Sequence, residues 1–78
     1  MYKLYADTDG KLELLQECVS PETLKSVAKV DTRFRQTTNT KYIITDETGL
    51  VMYQSRPPQS WRMRWKTPKY MQTLEAYA

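Results

Sequence analysis

Only two glycines occur in the 78 residues, and both close the same kind of phrase: Asp7-Thr8-Asp9-Gly10 and Asp46-Glu47-Thr48-Gly49. Asp at the first position of a type I turn bonds its own backbone two residues on. Gly at the fourth position takes the left-handed conformation of a G1 bulge. Residues that favour strands flank each phrase, so each reads as a hairpin loop. The first hairpin joins Tyr2–Ala6 to Lys11–Cys18, and the second joins Lys41–Thr45 to Leu50–Gln54. Tyr42-Ile43-Ile44-Thr45 carries the stronger strand signal, being aromatic and β-branched throughout.

Between the hairpins lies a helix. Ser20 is its expected N-cap, Pro21 suits the first turn, and Glu22 complements the positive end of the helix dipole. Leu24, Val27, Ala28 and Phe34 recur at helical spacing, with Lys25, Lys29 and Arg33 on the other side. The polar run Gln36-Thr37-Thr38-Asn39-Thr40 ends it.

Pro57-Pro58 breaks the chain after the fourth strand. Trp61-Arg62-Met63-Arg64-Trp65-Lys66 then alternates strictly, so as a strand it places Trp61, Met63 and Trp65 on one face and three cations on the other. Thr67-Pro68 reads as a second N-cap and first turn, opening a short helix through Tyr70, Met71, Leu74 and Tyr77. The predicted fold is α+β in a single domain over residues 1–78, in the order β-β-α-β-β-β-α. One antiparallel sheet of four to five strands carries the main helix on one face and a short C-terminal helix.

Composition narrows the chemistry. A chain of this length buries only about 60% of its unfolded surface, so the core is thin, and two Trp, one Phe and six Tyr supply much of it. There is no His, which removes the commonest base near neutral pH. With both glycines committed to turns, no phosphate-binding loop or nucleophile elbow is available. Asp7-Thr8-Asp9-Gly10 has the start of a calcium loop, but Cys18 stands where that loop needs a bidentate Glu. Cys18 alone closes no internal disulfide and reads as a small buried hydrophobe. The expectation is a protein without catalysis, metal or cofactor, acting in the cytoplasm and away from membranes.

Charge points to the C-terminal half. Residues 1–39 hold six basic and six acidic side chains, whereas residues 40–78 hold six basic and three acidic. No acid occurs between Glu47 and Glu75, a gap that contains Arg56, Arg62, Arg64, Lys66 and Lys69. Cations two residues apart on a strand sit about 6.6–7 Å from one another, a spacing that can track a phosphate backbone or meet acidic side chains. The same cations also protect an edge strand against aggregation. The candidate partner-binding residues are Arg56, Arg62, Arg64, Trp65, Lys66, Lys69 and Tyr70, with Trp65 or Tyr70 as anchor, because Arg, Trp and Tyr are enriched among interface hot spots.

Over Ser20–Trp65 the chain has a helix, a polar link ending in Thr40, the hairpin Tyr42-Ile43-Ile44-x-Asp46-x-x-Gly49 and then a Trp. That outline resembles several small phage-encoded proteins, including some anti-CRISPR proteins built as one sheet with one helix. The resemblance covers about half the chain and carries no site residue across. It implies a stoichiometric inhibitor that occupies a nucleic-acid-handling surface on a host machine. The net charge of +3 departs from acidic inhibitors that mimic DNA. Together these readings predict a binding protein, an inhibitor or accessory factor from a phage or mobile element, docking on a larger protein complex in the host cytoplasm. Direct nucleic-acid binding is the first rival. The second is a structural or oligomerisation module that pairs through the sheet edge beside Trp61–Lys66; the chain is expected to be a monomer or a homodimer.

Overall fold

The computed structural model describes residues 1–35, 40–55 and 64–74. It is α+β: strands β1 (Tyr2–Thr8) and β2 (Lys11–Cys18), helix α1 (Pro21–Phe34), then strands β3 (Thr40–Thr45) and β4 (Val51–Ser55). The four strands form one antiparallel sheet in the order β2-β1-β3-β4. β1 and β3 are therefore central, and β3 is the most completely buried of the four strands. Helix α1 packs on one face, where Leu4, Ala6, Leu24, Ala28, Tyr42 and Ile44 make a fully buried cluster. Tyr2, Leu15, Cys18, Val27, Tyr53 and Trp65 pack around it half-buried. Ile43 and Thr45 point to the other face by strand alternation and are buried as completely.

Two irregularities shape the sheet. The pairing of β1 with β2 steps from Leu4↔Gln16 to Tyr5↔Leu14, which leaves Leu15 as an extra residue turned against the core. A second step separates Ile44↔Tyr53 from Thr45↔Val51.

The hairpin loops differ from each other despite their matching phrases. At the second, Gly49 has φ +90° and its N–H donates to the Asp46 carbonyl at 3.2 Å, while Asp46 N–H donates to the Leu50 carbonyl at 3.0 Å. Asp46 Oδ1 accepts from Thr48 N–H, Thr48 Oγ1–H and Leu50 N–H at 2.9, 2.7 and 2.9 Å. These bonds, the Thr48 hydroxyl foremost, hold the Asp46 carboxyl below its usual pKa. At the first hairpin β1 continues to Thr8, and only Asp9 and Gly10 form the loop, with φ +53° and +86°. Two consecutive positive φ values make this a type I′-like turn, matching the right-handed twist of the strands, in place of the expected type I turn with a bulge.

Helix α1 begins where Ser20 and Pro21 place it, although the Ser20 side chain makes no capping hydrogen bond. Phe34 departs from the expected apolar face and stands 81% exposed. The core-facing side of the last turns is polar instead: Tyr42 O–H donates to Asp31 Oδ2 at 2.6 Å, and Arg35 bridges Asp31 and Glu13 of β2.

The short C-terminal helix does not open at Thr67-Pro68. Residues 67–73 bend at Lys69 and Tyr70 and then run back along β4, with Thr73 in a bridge to Leu50. Backbone pairing to an open sheet edge competes here with a local helix cue, and the edge wins. Residues 75–78, which would have carried the rest of that helix, lie outside the described residues. So do Trp61 to Met63, the first half of the expected fifth strand.

Candidate functional site

The C-terminal segment is held to the outer edge of β4 at two places. Gln54 and Lys66 exchange both backbone bonds, at 2.9 and 2.8 Å. Further on, Val51 N–H donates to the Gln72 carbonyl at 2.8 Å, and Leu74 N–H donates to the Gly49 carbonyl at 3.0 Å. Between these anchors five residues of the segment, 67–71, oppose only Met52 and Tyr53 of β4. The excess chain bows outward and leaves a hollow of about 220 Å³ whose walls include Leu50, Met52, Pro68, Lys69, Tyr70 and Met71.

Strand-like alternation sorts the side chains at the first anchor. Trp65 turns inward and packs against the core cluster, while Arg64 and Lys66 are exposed. Past the first anchor Lys69 is exposed, and Tyr70 and Met71 stand 80% and 87% exposed beside it. Of the predicted residues, Arg64, Lys66, Lys69 and Tyr70 therefore share one strip. Trp65 is spent on packing instead. Arg56 and Arg62 lie outside the described residues.

Met71 joins the strip without having been singled out; its only sequence signal is its place next to Tyr70 within a cation-rich stretch.

Ion pairs engage some of the cations outside the strip. Lys3 pairs with Glu17 at 3.7 Å, Lys25 with Glu22 at 3.2 Å, and Arg35 with Asp31 at 2.8 Å and Glu13 at 3.3 Å. The hydrogen bond to Asp31, above all, raises the Arg35 pKa beyond its ordinary value. Arg64, Lys66 and Lys69 make no ion pair among the described residues, and neither do Lys11, Lys29 and Arg33; the strip is set apart by having its three cations together in a segment, 64–74, that holds no acid. Their charge is left for solvent or for a partner.

No three His, Cys, Asp or Glu side chains among the described residues gather as a metal site, and no described helix is long and apolar enough to cross a membrane. Cys18 is free and half-buried against the core. Compared with known protein families, curated proteins and solved structures, the chain matches none.

Proposed function

We propose that this chain is a binding protein that docks on an acidic face of a larger protein through the strip Arg64–Met71. The observation that carries the reading is a juxtaposition. Arg64, Lys66 and Lys69 make no ion pair among the described residues, stand in a segment that holds no acid from 64 to 74, and flank two exposed side chains, Tyr70 and Met71. Tyr, Met and Arg are the residue types enriched at protein interfaces. The hollow between β4 and residues 67–71 takes one apolar side chain from a partner, with cations around it to meet carboxylates.

A protein partner is favoured over nucleic acid by the orientation of Trp65. Single strands are gripped by successive aromatic faces beside a cationic groove. With Trp65 packed inward, Tyr70 is the only aromatic side chain among the described residues of the strip that is free to stack. An inhibitor or accessory factor encoded by a phage or mobile element is the narrower form of the same proposal, resting on the outline of helix and hairpin described above.

The test is fluorescence anisotropy at two salt concentrations. The probes are a labelled Asp/Glu-rich peptide carrying one central Leu, and labelled single- and double-stranded DNA and RNA. The peptide should bind, and the triple change Arg64→Glu, Lys66→Glu, Lys69→Glu should abolish binding while leaving the circular dichroism spectrum unchanged. Tighter binding to nucleic acid, with a log–log salt slope of about −0.9 per phosphate contacted, would replace the protein partner with a nucleic acid. Equal binding by the triple variant would remove the strip from the function.

A further inference from the structure

A second exposed surface lies on the opposite side of the molecule. Lys25 Nζ stands 4.0 Å from the centroid of the Tyr53 ring, which turns that flank of α1 toward β4. At 3.6 residues per turn, Thr23, Val27, Val30 and Phe34 fall on the other flank, toward β2 at the far edge of the sheet. Their spacing of four, three and four residues is that of a coiled-coil seam. Val30 and Phe34 are 51% and 81% exposed, and the four residues help line a shallow hollow of about 430 Å³. The adjoining edge of β2 pairs with no other described strand.

We infer that this surface binds a second copy of the chain, seam to seam, in a two-fold homodimer with its α1 helices antiparallel. Charge complementarity selects that occupant and that orientation. Beside the seam on its outer side runs the row Glu22, Ser26, Lys29, Arg33. Antiparallel pairing of two such rows sets each Glu22 against the partner copy's Arg33. Parallel pairing would put the two rows on opposite sides of the seam, where neither meets the other.

The Leu15 bulge limits backbone pairing along β2, so the helix seam carries most of the contact. An interface built on one 14-residue helix per copy falls at the small end of specific interfaces, so a dissociation constant in the micromolar range follows. The strand order places the β4 edge, with Arg64–Met71, at the far side from this seam. The dimer therefore presents two outward strips and gains avidity on any partner with repeated acidic sites.

Sedimentation equilibrium on the full chain from low micromolar to millimolar concentration tests this. The mass should climb from 9.2 kDa toward twice that value. Phe34→Glu should hold it at the monomer without altering the circular dichroism spectrum, since the ring is exposed. Arg33→Glu and Glu22→Arg should each weaken the dimer by about tenfold or less, and the two together should restore it. A constant monomer mass up to millimolar concentration would overturn the inference and leave the seam to a helix of another protein. Dimerisation that survives Phe34→Glu would overturn it as well, by placing the contact elsewhere.

Discussion

The Tyr42 hydroxyl on β3 donates to Asp31 Oδ2 on α1 at 2.6 Å, and the same carboxylate oxygen accepts from Arg35 Nε at 2.8 Å. Arg35 reaches on to Glu13 of β2 at 3.3 Å. One aspartate thus fastens the end of the helix to the central strand, and its arginine partner ties the same end to an edge strand. The arrangement supplies by hydrogen bonds what a larger apolar core would supply by burial.

Tyr42→Phe keeps the ring in the core and removes the donor to a charged acceptor. The expected cost is about 2 kcal/mol, seen as a lower denaturant midpoint with an unchanged slope. Burial first, and then the bond to Asp31, raise the Tyr42 pKa above its ordinary 10.0. The folded state holds this proton more tightly than the unfolded state does. Its contribution is therefore full below about pH 10 and is lost as pH rises through the folded value. Denaturation midpoints followed into that alkaline range should fall more steeply for the wild type than for Tyr42→Phe. Parallel pH curves would show that Tyr42 does not ionise on unfolding.

Most of the scaffold was legible because it rests on local chemistry. The two Asp-x-x-Gly phrases mark both hairpins, and Ser20-Pro21 marks the start of α1, since turns and helix starts are decided within a few residues. What escaped was decided over distance. The core-facing side of the last turns of α1 is defined by Asp31, which looks like a solvent residue until Tyr42 meets it, and so helical spacing alone places Phe34 on the apolar face. Thr67-Pro68 is a fair helix start by its neighbours alone, but the open edge of β4 sits beside it and takes the backbone bonds. The cationic strip was visible as an acid-free interval. The alternation also placed Trp65 on the face opposite Arg64 and Lys66; what it did not show is the anchor at Gln54 and Lys66 that aims that face at the core.

Thr45 is fully buried on the face of the sheet away from α1, and its Oγ1 finds no hydrogen-bond partner among the described residues. An unsatisfied buried hydroxyl costs about 1–3 kcal/mol, and valine has nearly the same shape and suits a central strand. Thr45→Val should therefore raise stability by about 1 kcal/mol in chemical denaturation. A loss of stability would mean that the hydroxyl is satisfied in solution.

The strip proposed for docking is fixed to the sheet by a small number of backbone bonds, which sets how easily it opens. Lys66 N–H donates to the Gln54 carbonyl at 2.8 Å and the Lys66 carbonyl accepts from Gln54 N–H at 2.9 Å, whereas the second anchor uses Val51, Gln72, Leu74 and Gly49. Lys66→Pro removes the first donor and strains the strand conformation around it. Hydrogen exchange should then show the Gln54 amide losing protection, while the Val51 amide, bonded to Gln72, keeps most of its own. Amides of β1 and β3 should exchange as in the wild type, because their ladders do not involve the strip. Binding of the acidic peptide should weaken in the same variant, since Arg64 and Lys69 would no longer be held in register. If the Gln54 amide stays protected, its bond to the Lys66 carbonyl survives and the first anchor does not depend on the Lys66 N–H. Loss of protection at Val51 as well would show that the two anchors open together as one unit.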